Sequence, residues 1–185
     1  MPTLKKEKVL NGVDVDQLKE TIGRIKQDPD LARFQFRASN RWLGGSHNRT
    51  ELRNFHGTNR EHNHPETYHL ENDEPEVLFG DDQFPNPVEY VLHALAGCLT
   101  TTLICHAAAR GIAIERIESQ LEGDLDVRGF MGLSDEVRKG YQEIRVTLRV
   151  KADAPTAKLE ELAKFSPVFD TLSNPVKVAV QIEKE

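Results

Sequence analysis

The sequence predicts an α+β protein in which antiparallel strands cover two helices. Three observations carry that expectation. Tyr90 to Ala109 is a run of twenty residues with no formally charged side chain, and a helix so weakly amphipathic is expected to be buried nearly all round. Tyr141 to Val150 alternates, with Ile144, Val146, Leu148 and Val150 on one side and Tyr141, Glu143, Arg145, Thr147 and Arg149 on the other. That is the pattern of a sheet with one covered and one wetter face. A second apolar helical pattern follows Pro155.

The first element is a helix from Asp14 to about Lys26, where Val15, Leu18, Ile22 and Ile25 recur at spacings of three or four. Asp28-Pro29 ends it. Ala32 to Trp42 alternates imperfectly through Phe34, Phe36 and Ala38 and reads as a strand, with Gly44-Gly45 as its turn and Thr50 to Phe55 as its hairpin partner. Gly57 to Pro65 is polar and histidine-rich and reads as an irregular loop. Thr67 to Leu70 and Glu76 to Phe79 are short extended segments before the acidic turn Asp81-Asp82.

The central helix has strong start and stop signals. Asn86 can cap, Pro87 takes the first helical position, and Glu89 can close a capping box. Arg110 and Gly111 mark the end. Ile112, Ile114 and Ile117 lead into a strand reaching about Val127, Gly129 to Gly140 is a turn-rich crossing, and Tyr141 to Val150 is the next strand. The second helix presents Leu159, Leu162, Ala163, Phe165 and Val168 or Phe169, with a kink or break at Pro167. Asn174-Pro175 separates it from a last strand, Val176 to Ile182. The expected organisation is an N-terminal helical extension over 1–31 and one main domain over 32–185.

Size and composition bound the function. The chain has 185 residues and a mass of 20.9 kDa, which fits one domain. A hydrophobic fraction of 38% and an aromatic fraction of 6% leave the monomer a thin core. The formal net charge of -6 argues against nucleic acid, because no basic block outweighs the acid. Lys5, Lys6, Glu7 and Lys8 are followed by no adequate apolar core for a signal peptide. Two cysteines do not make a secreted disulfide scaffold, so reduced thiols in the cytoplasm are expected. The Tyr90 to Ala109 run approaches membrane-spanning length, but His93, Gly97, Thr100 to Thr102 and His106 interrupt it and alanine dominates. A core helix of a soluble fold is expected, and no membrane partner. Neither a repeat nor a nucleotide fingerprint is present.

Both cysteines lie in the central helix. Leu92, Leu95, Leu99 and Leu103 form its apolar stripe, and Cys98 falls on the flank with Ala94, Thr101 and Cys105. Small side chains there let another element, or the identical helix of a second subunit, approach closely. Cys98 and Cys105 are seven residues apart, about 10.5 Å along a helix, whereas a disulfide needs Cα atoms within about 7 Å. They cannot bridge. Cys98 is therefore either inert packing or a placed nucleophile.

A peroxide-reducing cysteine needs thiolate character, a donor to polarise the O–O bond and a group to hold that donor. Arg37, Arg41, Arg49, Arg53 and Arg60 precede the helix, and Glu89 can orient one of them by a bidentate pair or serve only as a cap. His56, His62, His64 and His69, with Glu61 and Glu66, have no recognised zinc spacing and read as a solvent-facing loop. No bound metal or cofactor is expected. His93 and His106 fall within the helix, where hydrogen bonding is the simpler role; Cys105 and His106 are adjacent and diverge.

The run Asn86-Pro87-Val88-Glu89-Tyr90-Val91-Leu92-His93-Ala94-Leu95-Ala96-Gly97-Cys98, followed by Leu99-Thr100-Thr101-Thr102, resembles the OsmC/Ohr family of osmotically inducible and organic-hydroperoxide-resistance proteins. Trp42 with Gly44-Gly45, Ser166-Pro167-Val168 and Asn174-Pro175-Val176 extend the resemblance from about Phe34 to the C-terminus. It implies an intertwined homodimer, with two central helices packed against curved antiparallel sheets from both chains. It also implies reduction of organic hydroperoxides by a reactive cysteine matching Cys98, assisted by a glutamate matching Glu89 and an arginine of the N-terminal sheet. The residues after Trp42 favour Arg49, with Arg41 and Arg53 behind it. Complete members carry a second cysteine before the Pro-Val of the second helix, where this chain has Ser166. Without it no intramolecular disulfide forms. Two outcomes follow from the resemblance: a sulfenic acid at Cys98 that awaits an external thiol reductant, or a lapsed catalytic role with a small apolar ligand in the pocket.

Overall fold

The computed structural model describes residues 9–174 and 176–184, so Lys5 to Lys8 and Pro175 lie outside the described residues. The chain folds as two compact units, residues 9 and 14–91 in one and residues 10–13 and 92–184 in the other.

Strands β1 (Val9–Leu10) and β2 (Val13–Asp14) pair around a turn and lead directly into helix α1 (Val15–Gln27). Asp14 caps α1 by accepting the Gln17 N–H at 2.9 Å, and Asp28-Pro29 stops it, as the sequence signals.

The first unit is built on a four-stranded antiparallel sheet of β3 (Gln35–Phe36), β4 (Ser39–Gly44), β5 (His47–Gly57) and β6 (Arg60–Asn72). Strand β5 is central, with β3 and β4 along one edge and β6 along the other. The single strand expected over Ala32 to Trp42 is thus two short ones, paired with opposite ends of β5. Gly57 to Pro65 is not a loop. Thr58 and Asn59, both at positive φ (49° and 60°), make the two-residue turn of a long hairpin. Its histidines are paired across or along strands: His62 stacks on Phe55 at 4.9 Å and His64 meets Tyr68 at 4.9 Å. Imidazole rings behave here as flat cross-strand partners, which a polarity count misses. Phe34 lies on Gly57: a Cβ there would stand 2.3 Å from the Phe34 ring, so a larger residue requires the ring to move.

Glu76 to Phe79, expected to be extended, is a 3-10 turn over Glu76–Leu78 with Phe79 at φ 70°. The buried Asp73 carboxylate organises it, accepting from the Ser46 hydroxyl and the backbone N–H groups of Glu74, Asp81 and Gln83. The Ser46 hydrogen bond holds the Asp73 carboxyl down at about 2; burial pushes the other way, and the backbone N–H groups add to the lowering.

Helix α2 (Pro87–Ala109) begins with the anticipated capping box: Asn86 N–H donates to Glu89 Oε2 at 2.9 Å and Glu89 N–H donates to Asn86 Oδ1 at 2.8 Å. It ends as Gly111 turns to φ 75° and Ile112 N–H returns to the Ala107 carbonyl at 3.0 Å.

In the second unit, α2 is followed by β7 (Ile114–Asp124), the single-turn α3 (Val127–Phe130), β8 (Glu143–Ala152), α4 (Thr156–Ala163) and α5 (Pro167–Ser173). Strands β7 and β8 form an antiparallel hairpin. Leu95, Leu99 and Ala163 pack against Leu121, Ile144, Leu148 and Val168, while Leu103, Ala107 and Leu162 pack against Ile114, Ile117, Val150 and Leu159. The apolar side of the hairpin is therefore covered by helices, and the break at Pro167 separates α4 from α5. Asn11 stitches residues 10–13 to this unit, donating to the Ile112 carbonyl at 2.9 Å and accepting the Ile114 N–H at 2.8 Å.

Two expectations are corrected. Helix α2 is not buried all round: Leu95, Leu99, Thr102, Leu103, Ala107 and Ala108 are buried, but His93, Ala94, Gly97 and Thr101 are exposed. By length and composition α2 could cross a membrane; here Leu95, Leu99 and Leu103 lie in the core of the second unit. Residues 176–182 form no strand, and Val176, Val178, Val180 and Ile182 are 56%, 76%, 81% and 89% exposed. Alternation alone does not make a strand, because its backbone groups need an adjacent edge.

Candidate functional site

In the first unit, Arg49 on β5 lies directly opposite Glu71 on β6, and His47 precedes Arg49 by two residues on the same face. Arg49 donates from Nε at 3.0 Å and from Nη2 at 2.7 Å to one oxygen, Glu71 Oε1. His47 Nε2 lies 2.6 Å from the other, Oε2. The His47 ring stacks on Phe84 at 5.1 Å, and the Tyr90 hydroxyl donates to the Glu71 carbonyl at 2.8 Å. The His47 hydrogen bond holds the Glu71 carboxyl below its ordinary range; burial opposes, and Arg49 adds to the lowering. Neither His47 nor Glu71 was singled out from sequence.

The other candidate arginines are placed differently. Arg41 on β4 lies directly opposite Arg49 on its other side. Among the described residues, the side chains of Arg41, Arg53 and Arg60 make no hydrogen bond or ion pair. Arg37 is taken by Glu61, at 2.7 and 3.0 Å, and holds that carboxyl at about 2. Arg49 alone of the five is fixed in a partly buried setting. Glu89 is engaged in the capping box, and the carboxylate on Arg49 is Glu71.

The histidines of the β5–β6 hairpin do not assemble. His56 meets Glu61 at 3.2 Å, His69 approaches Glu51 at 3.6 Å, and His62 bonds the Gly57 carbonyl at 3.1 Å. Among the described residues no group of three or more potential ligands could hold a metal ion.

In the second unit, Cys98 and Cys105 are free, half-buried thiols of α2. Cys98 borders the exposed small-residue face formed by Ala94, Gly97 and Thr101. His106 stacks on Phe165 at 4.5 Å; burial lowers its pKa and Arg110 adds to the effect. Ser166 is fully buried, and its hydroxyl caps α5 by accepting the Phe169 N–H at 3.2 Å. A mostly apolar cavity of about 400 Å³ is lined by Leu99, Leu103, Leu148, Leu159 and Phe169, with Glu160 and Lys164 as its charged residues.

These features define an α+β protein whose long, box-capped helix carries a free thiol and packs on an antiparallel hairpin. Residues 80–181 match the family model of OsmC-like proteins, and the chain belongs to that family. Solved structures share the fold. An OsmC-like protein from Mycoplasma pneumoniae is similar with a TM-score of 0.55 at 14% identity, over 76% of this chain and 89% of that one. An OsmC-like protein of unknown function from Vibrio cholerae gives 0.54 at 13% identity, over 74% and 92%. No curated protein is significantly similar in sequence.

Proposed function

We propose that this protein is a cytoplasmic, homodimeric, thiol-dependent reductase of organic hydroperoxides with Cys98 as its single peroxidatic cysteine. The observation that carries the reading is a free, half-buried thiol on the exposed small-residue face of a helix that begins with the family's Asn-Pro-Val-Glu sequence. The Cys98 thiolate attacks the distal oxygen of R–O–OH. The O–O bond breaks, the alkoxide takes a proton and leaves as an alcohol, and Cys98 becomes a sulfenic acid. Arg49 is assigned the developing negative charge, and Glu89, at the start of the helix, is carried over with it from the resemblance. Ser166 offers no sulfur, so an external thiol condenses with the sulfenic acid, releasing water, and a second thiol frees Cys98 as a disulfide forms between the two reductants.

The dimer reading is supported by what one chain leaves uncovered: the Ala94, Gly97 and Thr101 face of α2, and the alternating apolar segment at 176–182. A second reading, binding of a small apolar ligand without chemistry, is favoured by the cavity beside Leu99 and Leu103.

The test is stoichiometric titration with an organic hydroperoxide, followed by intact mass and free-thiol count. The expected result is one added oxygen atom per chain, confined to Cys98 and absent from Cys98→Ser. Unchanged thiols under excess peroxide would overturn the reductase reading and leave the ligand-binding one.

A further inference from the structure

We propose that the Asn11-Gly12 turn is a site of spontaneous covalent modification, gated by opening of the turn and made one-way by its own product. The site is independent of the thiol reading. No other asparagine in the chain is followed by glycine. Asn11 and Gly12 form the two-residue turn between β1 and β2, both at positive φ (54° and 78°), the conformation that Asn-Gly adopts most readily. The Asn11 side chain is tied to the far end of the sequence. Its Nδ2 donates to the Ile112 carbonyl at 2.9 Å and its Oδ1 accepts the Ile114 N–H at 2.8 Å. One amide thus serves a backbone acceptor and a backbone donor two residues apart, as a neighbouring strand would. Ile112 and Ile114 pack on the Leu103–Ala107–Leu162 cluster, so the tie is anchored on the core of the second unit, to which residues 10–13 belong.

The reaction consumes water and transfers no electron. In the open turn the Gly12 backbone nitrogen attacks Cγ of Asn11. A C–N bond forms, the Cγ–Nδ2 bond breaks, and the Gly12 proton leaves with the amide as ammonia. The cyclic imide then takes up water across one of its two carbonyl–nitrogen bonds, giving aspartate, or isoaspartate with an extra methylene in the main chain. Glycine has no side chain to shield its nitrogen, and the space beside Gly12 is open, with nothing within 4 Å of an ideal Cβ. In the closed turn Ile112 and Ile114 hold both ends of the amide, so Cγ is not free to swing onto that nitrogen. The product does not restore the closed state. Ionised aspartate is acceptor-only: it keeps the Ile114 N–H but sets an oxygen against the Ile112 carbonyl, leaving two acceptors face to face. Isoaspartate lengthens the turn and breaks its backbone geometry. Asn59 has a similar φ of 60° but precedes Arg60, and serves as an internal reference.

The test incubates folded and urea-unfolded wild-type protein side by side at neutral pH. Peptide mass spectrometry reads the initial rate at which the side-chain amides of Asn11 and Asn59 become carboxyls. In the unfolded chain Asn11 should outpace Asn59; equal rates there would remove the role of Gly12 and overturn the site. Two hydrogen bonds of ordinary net strength correspond to about 30-fold protection, so Asn11 should convert about 30-fold more slowly in the folded chain. The same rate in both states would overturn the gating. Protection beyond about 1,000-fold, far more than two such bonds supply, would assign the reaction to global unfolding and overturn the gating equally. The one-way step is read in Asn11→Asp, checked against wild type by circular dichroism. Hydrogen exchange at the Ile114 N–H should quicken at least about tenfold, the effect of losing one bond and leaving its acceptor unpaired. Exchange as slow as in wild type would show that the product closes the turn again and would overturn that step. The wild-type comparison needs no variant, so it decides the site even where Asn11→Asp fails to fold.

Discussion

Ser166 occupies the position at which the resemblance places a second cysteine, and the structure gives this serine a task that sulfur performs poorly. It is 0% exposed, and its hydroxyl accepts the Phe169 N–H at 3.2 Å, capping α5. Helix α5 has seven residues, too few to hold itself by propensity. It is kept by that cap, by Pro167 at its first position and by Val168 on the Leu95–Leu99–Ala163 cluster. Replacing a serine cap by alanine costs about 0.5–2 kcal/mol. The residue is sealed from water, so the freed N–H gains a solvent partner less readily, and the loss should lie near about 1.5 kcal/mol. Ser166→Ala, followed by urea unfolding at constant slope, should lower the unfolding free energy by that amount, read as a lower midpoint. Ser166→Cys keeps nearly the same volume with a weak acceptor and should lose part of it. A Ser166→Ala variant within about 0.3 kcal/mol of wild type, well below any measured cap, would refute the capping role.

Other consequences are measurable. Leu162→Ala should destabilise by about 2–5 kcal/mol, because Leu162 is 0% exposed against Leu103 and Ala107, and chemical denaturation reads the loss. Asp73→Asn should lower the melting temperature at neutral pH. The Asp73 carboxyl sits at about 2, below its ordinary 3.8, so its contribution is complete above about pH 4 and disappears as pH falls through about 2. The gap between the two melting curves should close over that interval. Sedimentation equilibrium should give twice the 20.9 kDa chain mass. Val178→Asp with Val180→Asp should shift the protein toward monomer, whereas an unchanged dimer would remove the 176–182 segment from the interface.

Much of the central helix and of the second unit could be read from residues. Asn86, Pro87 and Glu89 state a helix start in local grammar, and the structure realises both bonds of the box. The alternation in β8 and the break at Pro167 are likewise local signals. Failures came where the deciding partner is remote. The histidines of β6 look like loop residues until Phe55 and Tyr68 are set beside them. Glu71 was hidden by an irregularity in the hairpin. Gly57↔Arg60 and Asn54↔Asn63 follow one register, but beyond it Leu52 faces Tyr68 and Arg49 faces Glu71. Counting outward from the turn would have put Tyr68 opposite Arg49. The alternating segment at 176–182 carries a strand pattern but pairs with no strand among the described residues.

Cys105 lies seven residues along the same helix from Cys98, is also half-buried, and serves as an internal reference. Peptide-resolved mass spectrometry of wild-type protein at limiting organic hydroperoxide gives the ratio of the two oxidation rates directly. A Cys98 assisted by a positioned guanidinium should react at least about 100-fold faster than Cys105. Equal rates at the two sulfurs would show that nothing around Cys98 favours peroxide chemistry.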